Sequence, residues 1–402
     1  MPLAATFYSN APWTNTGYGT QTRQLVSRMH ADGHKVAIQA NYGLEAATTD
    51  WNGFPVYPRG YDGWCNDVVE PVFRDWTDRF PDLPKVLFGL FDSWVMNAEI
   101  LDKVPVVWWT PIDHAPCPPP VLEKIRKPNW TPVAMSKFGF QMMQDAGLER
   151  AVYAPHGVDT NLYRPGVTID ENGETYTGRR VMGLDPADDR FIVASFDANK
   201  AGGGIHRKAW SERLMAFSLF ARDKDDVVLY LHTERYGAMG GYNFDHLLAS
   251  IGIPPEKVQF VNQWALRLGI PDTAVAAMYG AVAEDGVVLM PSMGEGFGLV
   301  AAESQAAGAR VILTNCTAQT ELKGPDSYLV GGQPFWDGPQ AAWWVTPSVL
   351  EIVAALEDAY KNRGKGPSKA NRRFIQDNYD ADRIYRENWR PFLLRLAEEI
   401  EP

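Results

Sequence analysis

Short apolar runs alternate along the chain with stretches whose apolar residues recur at helical spacing. The runs are ATFYS, KVAIQA, KVLFGL, VPVVWWT, TPVAMS and AVYAPH in the first half. FIVASF, DVVLYLH, KVQFVN, GVVLMPS and ARVILTN follow in the second. This alternation predicts an α/β protein with parallel sheets. Five or six strands in each half is the count of two separate doubly wound, Rossmann-like sheets, not one large sheet. The polar, glycine-bearing segment between Tyr163 and Asp189 is the expected boundary. From Ala381 to Ile400, residues Ile384, Tyr385, Trp389, Phe392, Leu393 and Leu396 fall at amphipathic helix spacing among charges. The expected division is therefore 1–170, 171–380 and a C-terminal helix over 381–402 that crosses back to the first domain. Ligands of such sheets bind beyond the carboxyl ends of the strands, so the site is expected in a cleft where the two sheets face each other.

Composition narrows the function. The chain has 402 residues, 45% of them hydrophobic, with a net charge of −11. That is ample for a large core and argues against broad electrostatic attraction to nucleic acid or anionic lipid. Cys65, Cys117 and Cys316 match no metal or disulfide spacing and are expected to be reduced thiols. The N-terminus has neither a basic region nor a long apolar one, and no run reaches the ~18 apolar residues of a spanning helix. A soluble, cytoplasmic protein is expected, and Asn129-Trp130-Thr131 and Asn315-Cys316-Thr317 then match the glycosylation sequon by coincidence.

Four segments carry candidate chemistry. After ATFYS, Gly17 and Gly19 come just before a helix, where free backbone N–H groups and a helix dipole can meet an anion. The third glycine of the dinucleotide fingerprint is missing. After VVWWT, Asp113 and His114 stand in a proline-rich loop at a strand's carboxyl end, and histidine is the residue type whose unperturbed pKa lies nearest neutrality. After FIVASF, Gly202 to Gly204 form a mobile loop, and Arg207 and Lys208 open a helix. Two cations there oppose the macrodipole, a cost that a diphosphate would relieve. Last, GVVLMPSM leads into GEGFGLVAAE, with Glu295 in a glycine turn and Glu303 in the following helix. Nothing in their spacing suggests the paired acid and base of a hydrolase. They suit hydrogen bonds to hydroxyls on two parts of one long ligand, while the N–H groups of Phe297, Gly298 and Leu299 could meet an anion.

Taken together, GEGFGLVAAE, APHGVDTNLYRP and NKAGGGIHRKAWSERLMAFSLF resemble motifs of the retaining glycosyltransferases of family 4, in the same order and over most of the chain. The resemblance implies the GT-B fold, with a donor-binding C-terminal domain and an acceptor-side N-terminal domain. It implies that Glu295 contacts the donor sugar and Glu303 the ribose. Arg207 and Lys208 would bind the diphosphate, with Gly17 and Gly19 approaching it from the other domain and His114 lying by the reacting carbon. The segment departs from the family pattern: position 197 is Asp and the cations are adjacent, so Lys200, Arg207 and Lys208 all stay open as phosphate ligands.

The implied reaction is metal-independent, retaining transfer from a nucleotide sugar, a UDP-sugar ahead of a GDP-sugar, with no cofactor. Asp380-Ala381-Asp382 spells a metal-binding Asp-x-Asp but precedes the final helix and reads as a cap. A sugar-nucleotide epimerase and a degenerate sugar-binding protein are the alternatives. The acceptor stays open among glycan, protein, nucleobase and small molecule. Trp13, Asp113 and His114 are the acceptor-side candidates, and eight of the 14 tryptophans lie in the first 170 residues.

Overall fold

The computed structural model describes residues 1–171 and 173–400. The chain falls into two compact units. The first holds Met1–Gly157, Gly338–Ala342 and Ala381–Pro402; the second holds Val158–Asp337 and Trp343–Asp380.

The first unit is built on eight strands: β1 (Ala4–Ser9), β2 (Lys35–Ala40), β3 (Thr49–Trp51), β4 (Phe54–Tyr57), β5 (Lys85–Leu90), β6 (Val106–Thr110), β7 (Trp130–Ala134) and β8 (Val152–Tyr153). They lie in the order β3-β4-β2-β1-β5-β6-β7-β8. All pairings are parallel except that of β3 with β4. β1 and β6 are buried at every position, which is why they read as unbroken apolar runs. The count of five or six strands is too low here. β3 and β4 are short edge strands, and Pro55 interrupts their pattern.

In the second unit β9 (Ile169–Glu171) and β10 (Glu174–Tyr176) form a two-stranded ladder inside the segment expected to be the boundary. The main sheet holds β11 (Phe191–Ser195), β12 (Val227–Leu231), β13 (Val258–Phe260), β14 (Gly286–Leu289), β15 (Val311–Thr314) and β16 (Tyr328–Val330), all parallel, in the order β13-β12-β11-β14-β15-β16. A separate pair, β17 (Gly332–Asp337) and β18 (Ala342–Pro347), follows. Trp210, Leu214 and Phe217 of helix Trp210–Phe220 fill the core beside β11 and β12.

Each sheet reverses direction once. The chain moves outward from β1 through β2 to β4, then restarts at β5 on β1's other side. The second sheet does the same from β11, restarting at β14. The carboxyl ends of β1 and β5, and of β11 and β14, are therefore the two switch points where loops part and leave a crevice.

The last residues behave as their apolar spacing predicts, with one difference. Ile384, Tyr385, Trp389, Phe392, Leu393 and Leu396 are all buried, and Trp389 packs on Trp109 at 4.8 Å and on Phe88 at 6.4 Å. The helix is not continuous. Tyr385–Trp389 is a π turn between helices Ala381–Ile384 and Arg390–Glu399. Pro391 has no N–H to continue the ladder, and Arg390 N–H bonds back to Tyr385 instead.

Candidate functional site

At the second unit's switch point, three neighbouring strands deliver polar groups from their carboxyl ends. Asp197 follows β11, Ser292 and Glu295 follow β14, and Thr317 follows β15. The Ser195 hydroxyl ties β11 to the Leu289 carbonyl at 2.8 Å. Thr317 Oγ1 accepts the Glu295 N–H at 3.0 Å, and Gln319 Nε2 donates to the Ser292 carbonyl at 2.9 Å. The glycine turn is thus held from both sides.

Around it, four charged side chains and one hydroxyl close a ring, and a fifth charge braces it. Lys208 Nζ lies 2.6 Å from Glu295 Oε1 and 2.8 Å from Asp197 Oδ1. Asp197 Oδ2 accepts from Arg213 Nη1 at 2.7 Å. Arg213 Nη2 donates to Ser292 Oγ at 3.2 Å, and the Ser292 hydroxyl donates to Glu295. Arg207 joins from outside, with Nη1 3.1 Å from Glu295 Oε2 and also bonded to the Gly294 carbonyl. Arg213 is fully buried and stacks on the Trp210 ring, its guanidinium carbon 4.9 Å from the centroid.

Three cations face two carboxylates, which leaves one net positive charge in a poorly solvated place. Burial alone would raise the Glu295 pKa. Arg207 and Lys208 outweigh it and hold the carboxyl well below the usual carboxylate range. Glu295 is therefore an ionised acceptor at neutral pH. The ring also resolves why position 197 is acidic: Asp197 holds Lys208 and buried Arg213 together.

One local expectation is corrected. Arg207 and Lys208 do not open the helix. It starts at Trp210, after Ala209 in the left-handed region at φ +48. The two cations sit in the preceding turn, where Glu295 and Asp197 compensate them and the dipole is not the main cost. The Gly202–Gly204 loop is a tight turn, closed by reciprocal backbone bonds between Gly202 and Ile205 of 3.1 and 2.9 Å. Lys200 lies on the exposed side of that loop.

Downstream, helix Leu299–Ala306 begins after Gly298, whose φ of +113 suits glycine. Its first N–H groups, from Leu299 onward, have no partner within the helix. The Phe297 ring is buried and packs on Tyr379 at 5.5 Å, so only its backbone is placed to meet a ligand. Glu303 is buried and accepts from the Tyr279 hydroxyl at 3.4 Å. Burial, and then the charge of Glu303, push the Tyr279 phenol well above its ordinary pKa, so it stays a donor.

The remaining candidates lie in the first unit, some after β6 and others, at the switch point, after β1. Helix Gly17–Ala31 starts there, capped by Thr16, whose Oγ1 accepts the Gly19 N–H at 3.0 Å. A Cβ on Gly19 would lie 2.6 Å from the Thr14 carbonyl oxygen and 2.9 Å from that of Ala11. Glycine is required there by the close backbone of the Ala11–Thr16 turn. Gly17 is exposed at the helix start. Trp13 is 39% exposed, with its indole N–H on the Gly43 carbonyl at 2.9 Å. His114 follows β6 in a buried position, its Nδ1 2.7 Å from Asp113 Oδ1. Gly17, Gly19, Trp13, Asp113 and His114 thus belong to one unit, and Arg207, Lys208, Glu295 and Glu303 to the other.

The carboxylates of Asp380-Ala381-Asp382 are spent elsewhere. Asp380 accepts from Thr160 Oγ1 at 2.6 Å, and Asp382 pairs with Arg28 at 2.7 Å. Among the described residues no group of three or more His, Cys, Asp or Glu could hold a metal ion, and no helix is long and apolar enough to cross a membrane.

Sequence reading missed Asp197 as a partner, and it missed Ser292, Arg213 and Thr317 altogether. A helical arginine among apolar residues (SERLMAF) is the one signal that could have been used, because burial of Arg demands a carboxylate nearby.

No family profile matches the chain, and no curated protein matches it by sequence. Solved structures do. Sucrose-phosphate synthase from Thermosynechococcus elongatus is 14% identical, with a TM-score of 0.73 over 98% of this chain and 100% of that one. HepE from Anabaena, solved with UDP-glucose, is 14% identical, with a TM-score of 0.65 over 98% of both chains. A trehalose 6-phosphate synthase from Burkholderia multivorans is 13% identical, with a TM-score of 0.66 over 99% of this chain and 100% of that one. The shared architecture is the GT-B fold of two Rossmann-like units.

Proposed function

We propose that this protein is a retaining glycosyltransferase that moves a sugar from a nucleotide sugar, a UDP-sugar in the first instance, to an acceptor hydroxyl without a metal. The observation that carries this reading is the ring at the second switch point: a buried, ionised Glu295 clasped by Arg207 and Lys208 beside a helix start. A nucleotide sugar needs those chemistries side by side, with cations and N–H groups for the diphosphate and a carboxylate for the sugar hydroxyls. The solved complex of HepE with UDP-glucose supports the choice of UDP.

In this mechanism the second unit holds the donor and the first unit the acceptor. The bond from the anomeric carbon to the diphosphate oxygen breaks, and its electron pair stays on the phosphate. Arg207, Lys208 and the N–H groups of Phe297, Gly298 and Leu299 stabilise that charge, each buried contact contributing roughly 2–4 kcal/mol. Their geometry at Glu295 favours Arg207 and Lys208 over exposed Lys200. Glu295, kept ionised, accepts hydrogen bonds from the sugar, and Glu303 takes the ribose. Gly17 meets the diphosphate from the first unit; Gly19 shapes that turn. The acceptor hydroxyl attacks on the face the diphosphate leaves, and its proton passes to the departing phosphate oxygen. His114, oriented by Asp113, lies by the reacting carbon, and Trp13 lines the acceptor side. Three buried thiols suit a reducing, cytoplasmic compartment.

The test is incubation with a panel of UDP- and GDP-sugars, without acceptor and in excess chelator. Slow hydrolysis of one donor is expected. Interconversion of two sugars would make the protein an epimerase, binding without turnover would make it a sugar-binding protein, and complete loss of turnover on chelation would end the metal-free mechanism.

A further inference from the structure

Beyond the ring lies a hairpin that the apolar pattern did not predict. β17 and β18 are joined by a tight loop in which Ala341 N–H bonds to the Gly338 carbonyl at 3.1 Å. Its inner face packs on the site. Phe335 and Trp344 stack, and Trp344 joins Ala209 and Met293 in one apolar cluster beside Ile205. The backbone is stitched the same way: Val345 N–H donates to the Met293 carbonyl at 3.0 Å, and Met293 N–H donates to the Arg207 carbonyl at 2.8 Å. The hairpin is therefore anchored to the residues that carry Arg207 and Glu295.

Its outer face is different in kind. Trp336 and Trp343 stand together, ring centroids 4.9 Å apart at 62°, and are 48% and 46% exposed. The edge-to-face arrangement leaves a corner made of one indole face and one indole edge. Between Gly331 and Ser348 the chain has one charged residue, Asp337, which is buried. A strand of nucleic acid needs cations along its phosphates as well as aromatic platforms. A membrane-seeking element is flanked by Lys or Arg. This face offers neither. What it fits is a neutral ring with an apolar C–H face, of the size of one indole.

We propose that Trp336 and Trp343 form an acceptor subsite that stacks an uncharged pyranose, so that the acceptor is a neutral glycan. This rests on the transferase reading, which supplies the donor site against which the subsite is placed. Tryptophans far along the chain, in the unit expected to hold only the donor, would then select the acceptor.

The test uses the full chain, the UDP-sugar chosen by the donor screen, and para-nitrophenyl glycosides of glucose, galactose and mannose as acceptors. For Trp336→Ala/Trp343→Ala, the acceptor KM is expected to rise about tenfold, the loss of two aromatic contacts, with the donor KM within about twofold. Trp336→Tyr should recover much of the affinity, which also covers the case in which the double variant misfolds. In parallel, the indole N–H signals of Trp336 and Trp343 are followed by NMR during titration with methyl glycosides, a single-stranded oligonucleotide and phosphatidylcholine vesicles. Shifts with the glycosides alone are expected. An unchanged acceptor KM, or shifts with the oligonucleotide or the vesicles but not the glycosides, would overturn the subsite. Failure of every nucleotide sugar to turn over would instead defeat the transferase reading, and the titration would still decide the subsite.

Discussion

Asp197→Asn is the most informative single change in the ring. It removes one negative charge and leaves the shape almost unaltered. Asp197 is the partner of Arg213 at 2.7 Å and of Lys208 at 2.8 Å, and its side chain and that of Arg213 are 3% and 0% exposed. In the variant, Arg213 keeps only neutral contacts: the Ser292 hydroxyl, the amide oxygen at position 197 and the Trp210 face. At an effective dielectric of about 20, each pair of charges about 4 Å apart interacts by roughly 4 kcal/mol. Breaking a buried pair from one side typically costs about 3–5 kcal/mol, since the remaining charge stays desolvated. A domain has only about 5–15 kcal/mol in total. At roughly 2–4 °C per kcal/mol for a unit of this size, the midpoint should fall by about 10 °C. Calorimetry and urea titration measure both quantities. The cycle with Arg213→Met adds a sharper readout. Removing Arg213 as well takes away the stranded charge, so the double variant should be more stable than the sum of the singles predicts, by about 2 kcal/mol or more. A loss below about 1 kcal/mol for Asp197→Asn, or strict additivity in the cycle, would refute the argument that Asp197 holds a buried cation pair.

Glu295→Ala and Arg207→Ala should each lower transfer by at least about a hundredfold with circular dichroism unchanged, because Arg207 is still 28% exposed and tolerates loss of its partner; near-normal rates would remove the assigned roles. Glu295 also predicts a pH dependence. Its folded pKa lies below the ordinary 4.5, so its contribution to stability is present above that value and is lost as pH falls through the folded one. Urea midpoints measured from pH 7 down to 3 should drop less steeply in Glu295→Gln than in the native protein, and parallel curves would contradict this. Gly19→Ala forces a methyl against two backbone oxygens and should destabilise the first unit by about 1–3 kcal/mol, with thermal melts as the check; a neutral outcome would mean that the turn yields easily.

The eleven apolar runs all became strands because a strand buried on both faces writes its own signature. What escaped was short, edge-placed or paired only locally: β16 is three residues long at a sheet edge, while β3, β4 and the two hairpins carry proline, glycine or polar residues, and their partners supply the order that their composition does not. In the candidate site, glycine turns and adjacent cations drew attention to Arg207, Lys208 and Glu295, and these do meet in one cluster. The contacts between Asp197, Arg213 and Ser292 could not be read the same way. They depend on β11 lying beside β14, which are some ninety residues apart in the chain (Ala194 is registered with Val288), and no local pattern records which strands become neighbours. The departure at position 197 was visible, but its meaning required the buried arginine beneath it.

The core of the first unit is finished by residues from Ala381 onward, and this sets an order of events during synthesis. When the ribosome has made residues 1–157, the faces of Phe88 and Trp109 that Trp389 covers are still bare. They stay so until the whole second unit has been translated. The nascent first unit therefore waits, incomplete, for the tail of its own chain, a period in which chaperone binding should be strongest. An isolated 1–157 fragment should be poorly soluble, and adding the 381–400 segment in trans should rescue it.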